Sequence, residues 1–179
     1  MKKLYSVTQV LSPFNSHLSA IPSHILERAA NRGIEVHRAC GNYAQGIWVK
    51  KLAIDVIPYV HSFIRWFIEY VEVVYMVEER LIDQELGFHG RLDFYLKMVD
   101  GWEGIVDIKN PIVEAPTWKA QCAAYKHLIE LKQNKNGIGA MALQLNNRGG
   151  MPRAIHYQHS ADDFAAFLSA LNAYRYFNE

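Results

Sequence analysis

The alternation of apolar and polar residues changes its period near residue 71. Before that point apolar residues recur at helical spacing, which predicts one helix from about Ser23 to Tyr43 and another that starts near Pro58. Ser23 is a good candidate to cap the first of these helices. Residues 71–82 then alternate with a period of two, which is typical of a long strand. Near the start, residues 4–11 form a short β-branched stretch that a proline and an asparagine interrupt.

In the rest of the chain, segments with helical spacing and segments with a period of two both occur. The predicted elements are a turn region at 85–90, strands at 91–99 and 102–110, a helix at 117–132, strands at 137–145 and 153–158, and a helix that opens at Ser160. Their order is α-α-β-β-β-α-β-β-α. This order predicts an α/β or α+β fold with a mixed central β-sheet flanked by helices.

Length and composition are those of an ordinary globular protein. With 179 residues, 50% hydrophobic and 21% charged, residues 1–179 are expected to form a single domain. The net charge of +1 means that any binding of nucleic acid depends on a local basic patch. Cys40 and Cys122 form no CxxC pair, which favours a reducing, cytoplasmic compartment. The start of the sequence has two lysines but no apolar h-region, so we expect no signal peptide, and charged residues within the most apolar stretch, 52–77, argue against a membrane span.

A hairpin in the centre of the chain admits two registers. A two-residue turn would pair Asp93 with Ile108 and place Asp107 on the other face of the sheet. A three-residue loop at 99–101 would instead pair Asp93 with Asp107. That loop requires a left-handed residue at its third position, where Gly101 stands. We therefore predict the second register.

This register separates apolar from charged positions. One face carries apolar cross-strand pairs, namely Met98 with Trp102, Phe94 with Val106 and Leu92 with Ile108. The other face carries a predicted ion pair, Lys97 with Glu103, then Asp93 opposite Asp107, with Lys109 two residues further on. Opposed side chains have Cβ atoms about 5 Å apart, and two carboxylates so close repel unless a cation lies between them. A hard divalent ion is the natural partner, although a solvated, exposed sheet face would carry the same residues.

Neighbouring segments resemble a known family. Asp93 followed by Asp107-Ile108-Lys109 resembles the D…(D/E)xK signature of the PD-(D/E)XK nucleases. Four further features resemble the RecB-like branch, which includes phage and recombination exonucleases. They are Arg32-Gly33-Ile34-Glu35-Val36-His37, Glu78 before the turn, Gly90-Arg91-Leu92-Asp93, and Gln121 with Tyr125 in a Q-x-x-x-Y helix.

The resemblance implies a restriction-endonuclease-like core and a metal-dependent deoxyribonuclease, with an exonuclease of the phage recombination or repair type favoured. Asp93 and Asp107 would bind Mg²⁺ or Mn²⁺, with the backbone carbonyl of Ile108 as a third ligand. Lys109 would position or deprotonate the attacking water, which is easier if its pKa is lowered. His37 would be a further ligand, and an imidazole shifts preference toward Mn²⁺.

Other residues take supporting roles by the same resemblance. Glu78 would act as a ligand of a second ion or through water, whereas Glu79 points to the opposite face of its strand. Gln121 and Tyr125 are four residues apart on one helix face. Gln121 would steady Lys109 or the phosphate, and Tyr125 would contact the DNA backbone.

The predicted partner is single- or double-stranded DNA. Arg32, Arg91 and Lys119 are the predicted phosphate contacts, with Arg28 and Arg38 as further candidates. Members of the branch that are CRISPR-associated carry four cysteines around an iron–sulfur cluster, and this chain has two, so we expect no cluster. No helicase motif is present, which predicts a stand-alone nuclease domain, and a homo-oligomer or a recombination-protein partner is compatible with the pattern.

Two other functions fit the residues less well. One is a nuclease-fold module that binds nucleic acid or a partner without cutting it, but the acids, the lysine and the histidine of the motif are all present. The other is an unrelated metalloenzyme or interaction module that uses the same acidic face. In that case no activity would depend on Lys109.

Overall fold

The computed structural model describes residues 3–15, 22–47, 51–110 and 113–178. Within these residues the chain forms five α-helices, eight strands and a single 3-10 turn at Ser12–Phe14. The helices are α1 (Val7–Leu11), α2 (Ser23–Ala44), α3 (Ile57–Tyr70), α4 (Thr117–Gln133) and α5 (Ser160–Asn178). The strands are β1 (Tyr5–Ser6), β2 (Val71–Val77), β3 (Arg80–Asp83), β4 (Phe88–Arg91), β5 (Phe94–Met98), β6 (Glu103–Lys109), β7 (Gly139–Gln144) and β8 (Arg153–His156).

Five strands form a mixed sheet in the order β2-β5-β6-β7-β8. Strands β6 and β7 are parallel, and the other neighbours are antiparallel. Parallel neighbours need a crossover connection, and α4 supplies it here. A smaller sheet, in the order β1-β4-β3, lies beside the first. The predicted mixed sheet flanked by helices is confirmed, whereas the pattern along the chain does not predict the second sheet.

The predicted register of the central hairpin is confirmed. Phe94 lies opposite Val106 and Lys97 lies opposite Glu103, as the three-residue loop requires. Gly101 has a φ of +91°, in the region that L side chains rarely adopt. Loop chemistry and hydrophobic alternation thus agree on one pairing of these two strands.

The predicted ion pair across this hairpin is wrong. Although Lys97 lies opposite Glu103, its Nζ is 2.7 Å from a carboxylate oxygen of Glu72 on the neighbouring strand β2. Glu103 pairs with Lys135, 2.6 Å away. Strand β2 lies on the other side of β5 and offers Lys97 a second cross-strand partner, which a single hairpin cannot reveal.

Two of the predicted strands each pass from one sheet to the other. The predicted strand at 71–82 is divided into β2 and β3 near Glu78, whose φ of +52° interrupts the extended backbone. The next predicted strand, 91–99, is also interrupted: Leu92 and Asp93 separate the end of β4 from the start of β5. The two breaks lie opposite each other, since Val77 pairs with Phe94 before them and Arg80 pairs with Arg91 after them. The two antiparallel strands, here called the double strand, therefore bend together at this point. The predicted turn region at 85–90 is wrong in its second half, which belongs to β4.

Two hydrophobic cores lie on opposite faces of the larger sheet. Helices α2 and α3 cover one face, where Phe63 stacks on Phe94 with ring centroids 5.3 Å apart. Helix α4 covers the other face and forms the second core, in which α5 packs against α4 and its Phe167 is fully buried. Each fully buried phenylalanine contributes about 1.5–3 kcal/mol. Leu92 belongs to the second core and not, as predicted, to a layer with Ile108. The reason is that Leu92 lies in the break between β4 and β5 and is not part of the larger sheet.

The helix ends bear on two predictions. Helix α2 follows its predicted bounds closely, but its N-cap is Pro22, which provides no side-chain capping bond, and Ser23 is already the first helical residue. The segment 4–11 is mostly helical, because Ser6 and Gln9 form a reciprocal capping box at the start of α1. Across the described ranges, none of the helices has the length and apolar character that crossing a membrane requires.

Candidate active site and metal centre

The bend in the double strand places Glu78 and Asp93 side by side. The backbone N–H of Glu78 donates to the carbonyl of Asp93 at 2.9 Å, and the N–H of Leu92 donates to the carbonyl of Glu79 at 3.2 Å. Glu78 lies in the left-handed region, a conformation that costs about 1–3 kcal/mol for a residue with a side chain. Arg91 stabilises this turn, since its Nε donates to the Glu78 carbonyl and lies 3.0 Å from the carboxylate.

Asp93 connects the bend to α2 and β6. Its Oδ1 lies 2.9 Å from Nδ1 of His37 on α2, and its Oδ2 accepts the backbone N–H of Ile108 at 2.6 Å. Because the N–H and C=O of one strand residue point to the same side, the carbonyl of Ile108 is also directed toward this region. Asp93 is therefore held through both carboxylate oxygens while it is only 7% exposed.

Three side chains converge at this point with the donor atoms of a metal site. One ligand atom each from His37, Glu78 and Asp93 lies within 4.8 Å of the other two. One imidazole and two carboxylates are a donor set that suits Mn²⁺ and related divalent ions. Helix α2 approaches the bend closely, since a Cβ on Gly41 would be 3.4 Å from the Glu78 side chain. The residues present thus fit a divalent cation.

The electrostatics of this cluster also favour a cation. Burial raises the pKa of Glu78, and the nearby Asp93 raises it further. Burial alone would lower the pKa of His37, but Asp93, through its charge and its hydrogen bond, raises it to about 9. A positive charge between these carboxylates is therefore strongly stabilised, whether a proton or a metal ion supplies it.

Asp107 and Lys109 form a second, adjoining part of the site. Asp107 is 3% exposed, and its Oδ2 lies 2.6 Å from Nζ of Lys109. Burial and Asp93 raise the pKa of Asp107. Burial, the largest single influence, would lower the pKa of Lys109, but the charge and hydrogen bond of Asp107, together with Cys122 and Asp93, raise it overall. The pKa of Lys109 is thus raised, so Lys109 is an ammonium in this arrangement, which suits the predicted positioning of water better than its deprotonation.

The predicted helix pair on α4 holds this lysine. Lys109 Nζ donates to Oε1 of Gln121 at 2.8 Å. The amide of Gln121 donates in turn to the hydroxyl of Tyr125 at 3.1 Å and approaches Asp107 Oδ1 at 3.4 Å. The structure therefore places Gln121 where it steadies Lys109, as one of its two predicted roles requires. Tyr125 is only 3% exposed and its hydroxyl accepts the Gln121 amide, so Tyr125 positions Gln121 and its hydroxyl is not free for the predicted contact with the DNA backbone.

A glycine makes room for this tyrosine. A Cβ on Gly90 would lie 2.5 and 2.8 Å from Cε1 and Cδ1 of Tyr125, too close for carbon atoms. Gly90 thus contacts Tyr125, which is connected to Lys109 through the hydrogen bonds of Gln121.

The predicted phosphate contacts differ in their freedom to bind. The Arg32 guanidinium lies 5.3 Å above the ring of Tyr59, and Arg91 is engaged with the bend through Glu78. Lys119 is 3.6 Å from the buried carboxylate of Asp163. Arg32 has no such carboxylate partner among the described residues. Arg91 and Lys119 each already interact with a carboxylate, which would compete with a phosphate for them.

Two residues near the site carry no signal in the motif pattern. The ring of Trp118 on α4 is buried and lies 5.6 Å from Lys109 Nζ, a cation–π contact. Asn110 follows Lys109 directly and is also buried. A tryptophan on a helix and an asparagine after a strand are both common, so neither residue stands out from the sequence alone.

Solved structures of other proteins resemble this chain to different degrees. A protein described as "Putative exonuclease" from Eubacterium rectale aligns with a TM-score of 0.55 and 13% identity, over 96% of this chain and 82% of that chain. An alkaline exonuclease from Laribacter hongkongensis gives a TM-score of 0.41 at 15% identity, over 98% of this chain and 91% of that one. The complex of the latter enzyme with dAMP gives 0.32 at 15% identity, over 97% and 91%.

The first of these alignments shows a shared fold, whereas scores below 0.5 add nothing to it. No family model matches the sequence, and no curated protein matches it either. The mixed sheet with its flanking helices is therefore a fold that this chain shares with the protein from Eubacterium rectale, and a shared fold does not by itself fix the chemistry.

Proposed function

We propose that this protein is a metal-dependent nuclease that hydrolyses phosphodiester bonds in DNA, and that it is an exonuclease of the phage recombination or repair type. One observation carries the proposal: the donor atoms of His37, Glu78 and Asp93 converge beside the Asp107–Lys109 pair. The fold supports it, since it is shared with a protein described as an exonuclease.

The cation would be held by His37, Glu78 and Asp93, and Mg²⁺ or Mn²⁺ is the proposed ion. Asp107 and the carbonyl of Ile108, the other proposed ligands, lie next to this cluster. A bound divalent ion would polarise the phosphodiester and stabilise the negative charge that develops on its oxygens.

The chain's own residues would orient the reaction. Lys109 is held between Asp107 and Gln121, so its ammonium is directed and cannot swing freely. From this position it would orient the water that attacks phosphorus and stabilise charge on a phosphate oxygen. As an ammonium, Lys109 cannot accept the proton of that water, so a carboxylate would accept it; Asp107 contacts Lys109 and would do so through the oxygen that does not bind the ion. The products would be a 5′-phosphate and a 3′-hydroxyl.

Arg32 would be the main electrostatic contact to the strand. It lies on α2, five residues before His37, so it is on the helix that supplies the imidazole. Arg91 and Lys119 would contribute less, because each is already paired with a carboxylate. A non-cleaving, DNA-binding module is the second candidate function, but nothing in the arrangement of the acids and the lysine favours it.

The test uses end-labelled linear duplex, single-stranded and circular DNA, each incubated in Mg²⁺, Mn²⁺ or EDTA. Asp107→Ala and Lys109→Ala should abolish cleavage, and Glu79→Gln serves as the matched control because Glu79 pairs with Lys132 away from the cluster. Metal-dependent cleavage of linear DNA only, lost in both variants, would support the exonuclease. Cleavage of circular DNA would support a nuclease but contradict the exonuclease assignment, because circular DNA has no ends. No cleavage under any condition would leave the binding module as the better proposal.

A further inference from the structure

Asn110 is buried at the edge of the proposed active site without a visible reason. The residue is 9% exposed, and neither Oδ1 nor Nδ2 of its side chain has a hydrogen-bond partner within the described part of the chain. This holds for either orientation of the amide, because both atoms are unpaired. Native proteins keep few buried polar groups in this condition, and a bound ligand or water is the usual explanation.

The backbone holds Asn110 in place. The carbonyl of Lys109 accepts the N–H of Leu145 at 2.8 Å, so the parallel ladder extends to the residue just before Asn110. A Cβ on Gly33 would lie 3.6 Å from Asn110 Nδ2. The amide therefore lies against α2, one helical turn before His37, between that helix and the end of β6.

A second unpaired donor lies on the same turn of α2. Nε of Arg32, next to Gly33, is buried and has no hydrogen-bond partner among the described residues. Its guanidinium is directed over the ring of Tyr59. An amide N–H and a guanidinium N–H are both donors, and phosphate oxygens are the acceptors that such donors bind most readily in nucleic acids.

We infer that Asn110 is a substrate contact: with Arg32 it hydrogen-bonds a phosphate of the nucleic-acid strand held in the site. The inference rests on the proposed function. Phosphate oxygens accept from Nδ2 of Asn110 and Nε of Arg32, and water on the strand donates to Oδ1. The phosphate belongs either to an internal phosphodiester or to a strand end, which share this chemistry.

The test separates binding from cleavage. Equilibrium affinity for a short fluorescein-labelled oligonucleotide, with or without a 5′-phosphate, is measured in Ca²⁺, and thermal stability is measured beside it. Asn110→Leu should weaken binding about tenfold to a hundredfold, because a hydrogen bond to a charged group is lost. Its melting temperature should stay the same or rise, because a buried unpaired amide is replaced by an apolar side chain of similar size. Asn110→Asp should weaken binding at least as much through repulsion.

Asn134→Leu is the control, since Asn134 is a structural residue with φ +48° at the far end of α4. It should lose stability and keep its affinity. Wild-type affinity in Asn110→Leu or Asn110→Asp would overturn the inference, as would a wild-type protein that binds no oligonucleotide. A wild type that binds without cutting would refute the nuclease alone, and the Asn110 variants would still decide the contact. A loss confined to 5′-phosphorylated strands would identify an end phosphate, and a loss with both strands an internal one.

Discussion

Replacing Gly90 by alanine should disable the site from a position that touches no substrate. Gly90 is not one of the residues with positive φ, so alanine meets no backbone strain there. The obstacle is space, because the added Cβ would lie 2.5 and 2.8 Å from two ring carbons of Tyr125 and 3.2 Å from Cδ1 of Leu128. Carbon atoms pack at about 3.5–4 Å, so the ring would have to retreat by roughly 1 Å.

That displacement has consequences for stability and for catalysis. Tyr125 is 3% exposed within a packed core, and overpacking of this kind costs about 1–3 kcal/mol. The hydroxyl of Tyr125 holds the amide of Gln121, which holds Lys109. A misplacement of about 1 Å at a catalytic group can cost about a hundredfold in rate. We therefore expect Gly90→Ala to lower kcat by about that factor, with the metal affinity unchanged.

The control is Gly139→Ala, which creates the same kind of clash elsewhere. A Cβ there would overlap the ring of Trp102 even more closely. Gly139 lies opposite Gly104, five residues along the ladder from Lys109, which is about 16 Å. Both variants should melt at a lower temperature, but only Gly90→Ala should lose kcat in the metal-dependent cleavage assay. A Gly90→Ala protein that is destabilised and yet cuts DNA at the wild-type rate would refute the positioning of Lys109 through Tyr125.

Further predictions concern the metal and the DNA. Saturating Mn²⁺ should raise the melting temperature of the wild type, since a ligand at a hundred times its Kd stabilises by about 2.7 kcal/mol, and His37→Ala should abolish that rise. Glu78→Gln should weaken Mn²⁺ binding in calorimetry by at least about tenfold, whereas Glu79→Gln should leave it unchanged; equal effects would contradict the cluster. Arg32→Gln should weaken binding uniformly across DNA sequences and reduce the slope of log affinity against log salt by about 1. Lys119→Gln should change that slope less, and the opposite ranking would contradict the assignment of Arg32.

The central hairpin was predictable because its signals are local. Gly101 at the third loop position and the alternation along both strands select one register, and the structure has that register. The same locality explains two failures. Lys97 pairs with Glu72 on a strand that the hairpin does not contain, and the β-branched segment 4–11 becomes helical through its capping box and its packing in the second core.

The role of Tyr125 was beyond prediction for a different reason. Spacing puts Gln121 and Tyr125 on one face of α4, but it does not reveal which of them contacts Lys109 and which is buried against β4. That depends on β4, which approaches α4 closely only because Gly90 has no side chain. The close approach joins segments 35 residues apart, and only the three-dimensional packing reveals it.

The passage of the double strand between two sheets explains why the acidic residues form a site instead of an exposed, solvated face. In a flat hairpin Asp93 would stand opposite Asp107, and the two carboxylates would be equivalent. Because β5 begins only at Phe94, Asp93 turns toward α2 and binds His37, while Asp107 stays on the face that α4 covers and binds Lys109. The bend thus gives each acid its own partner and leaves Asp93 close to Glu78, whose left-handed backbone makes the bend. Local strain at Glu78 and the division of roles between the acids are consequences of the same break in the strands.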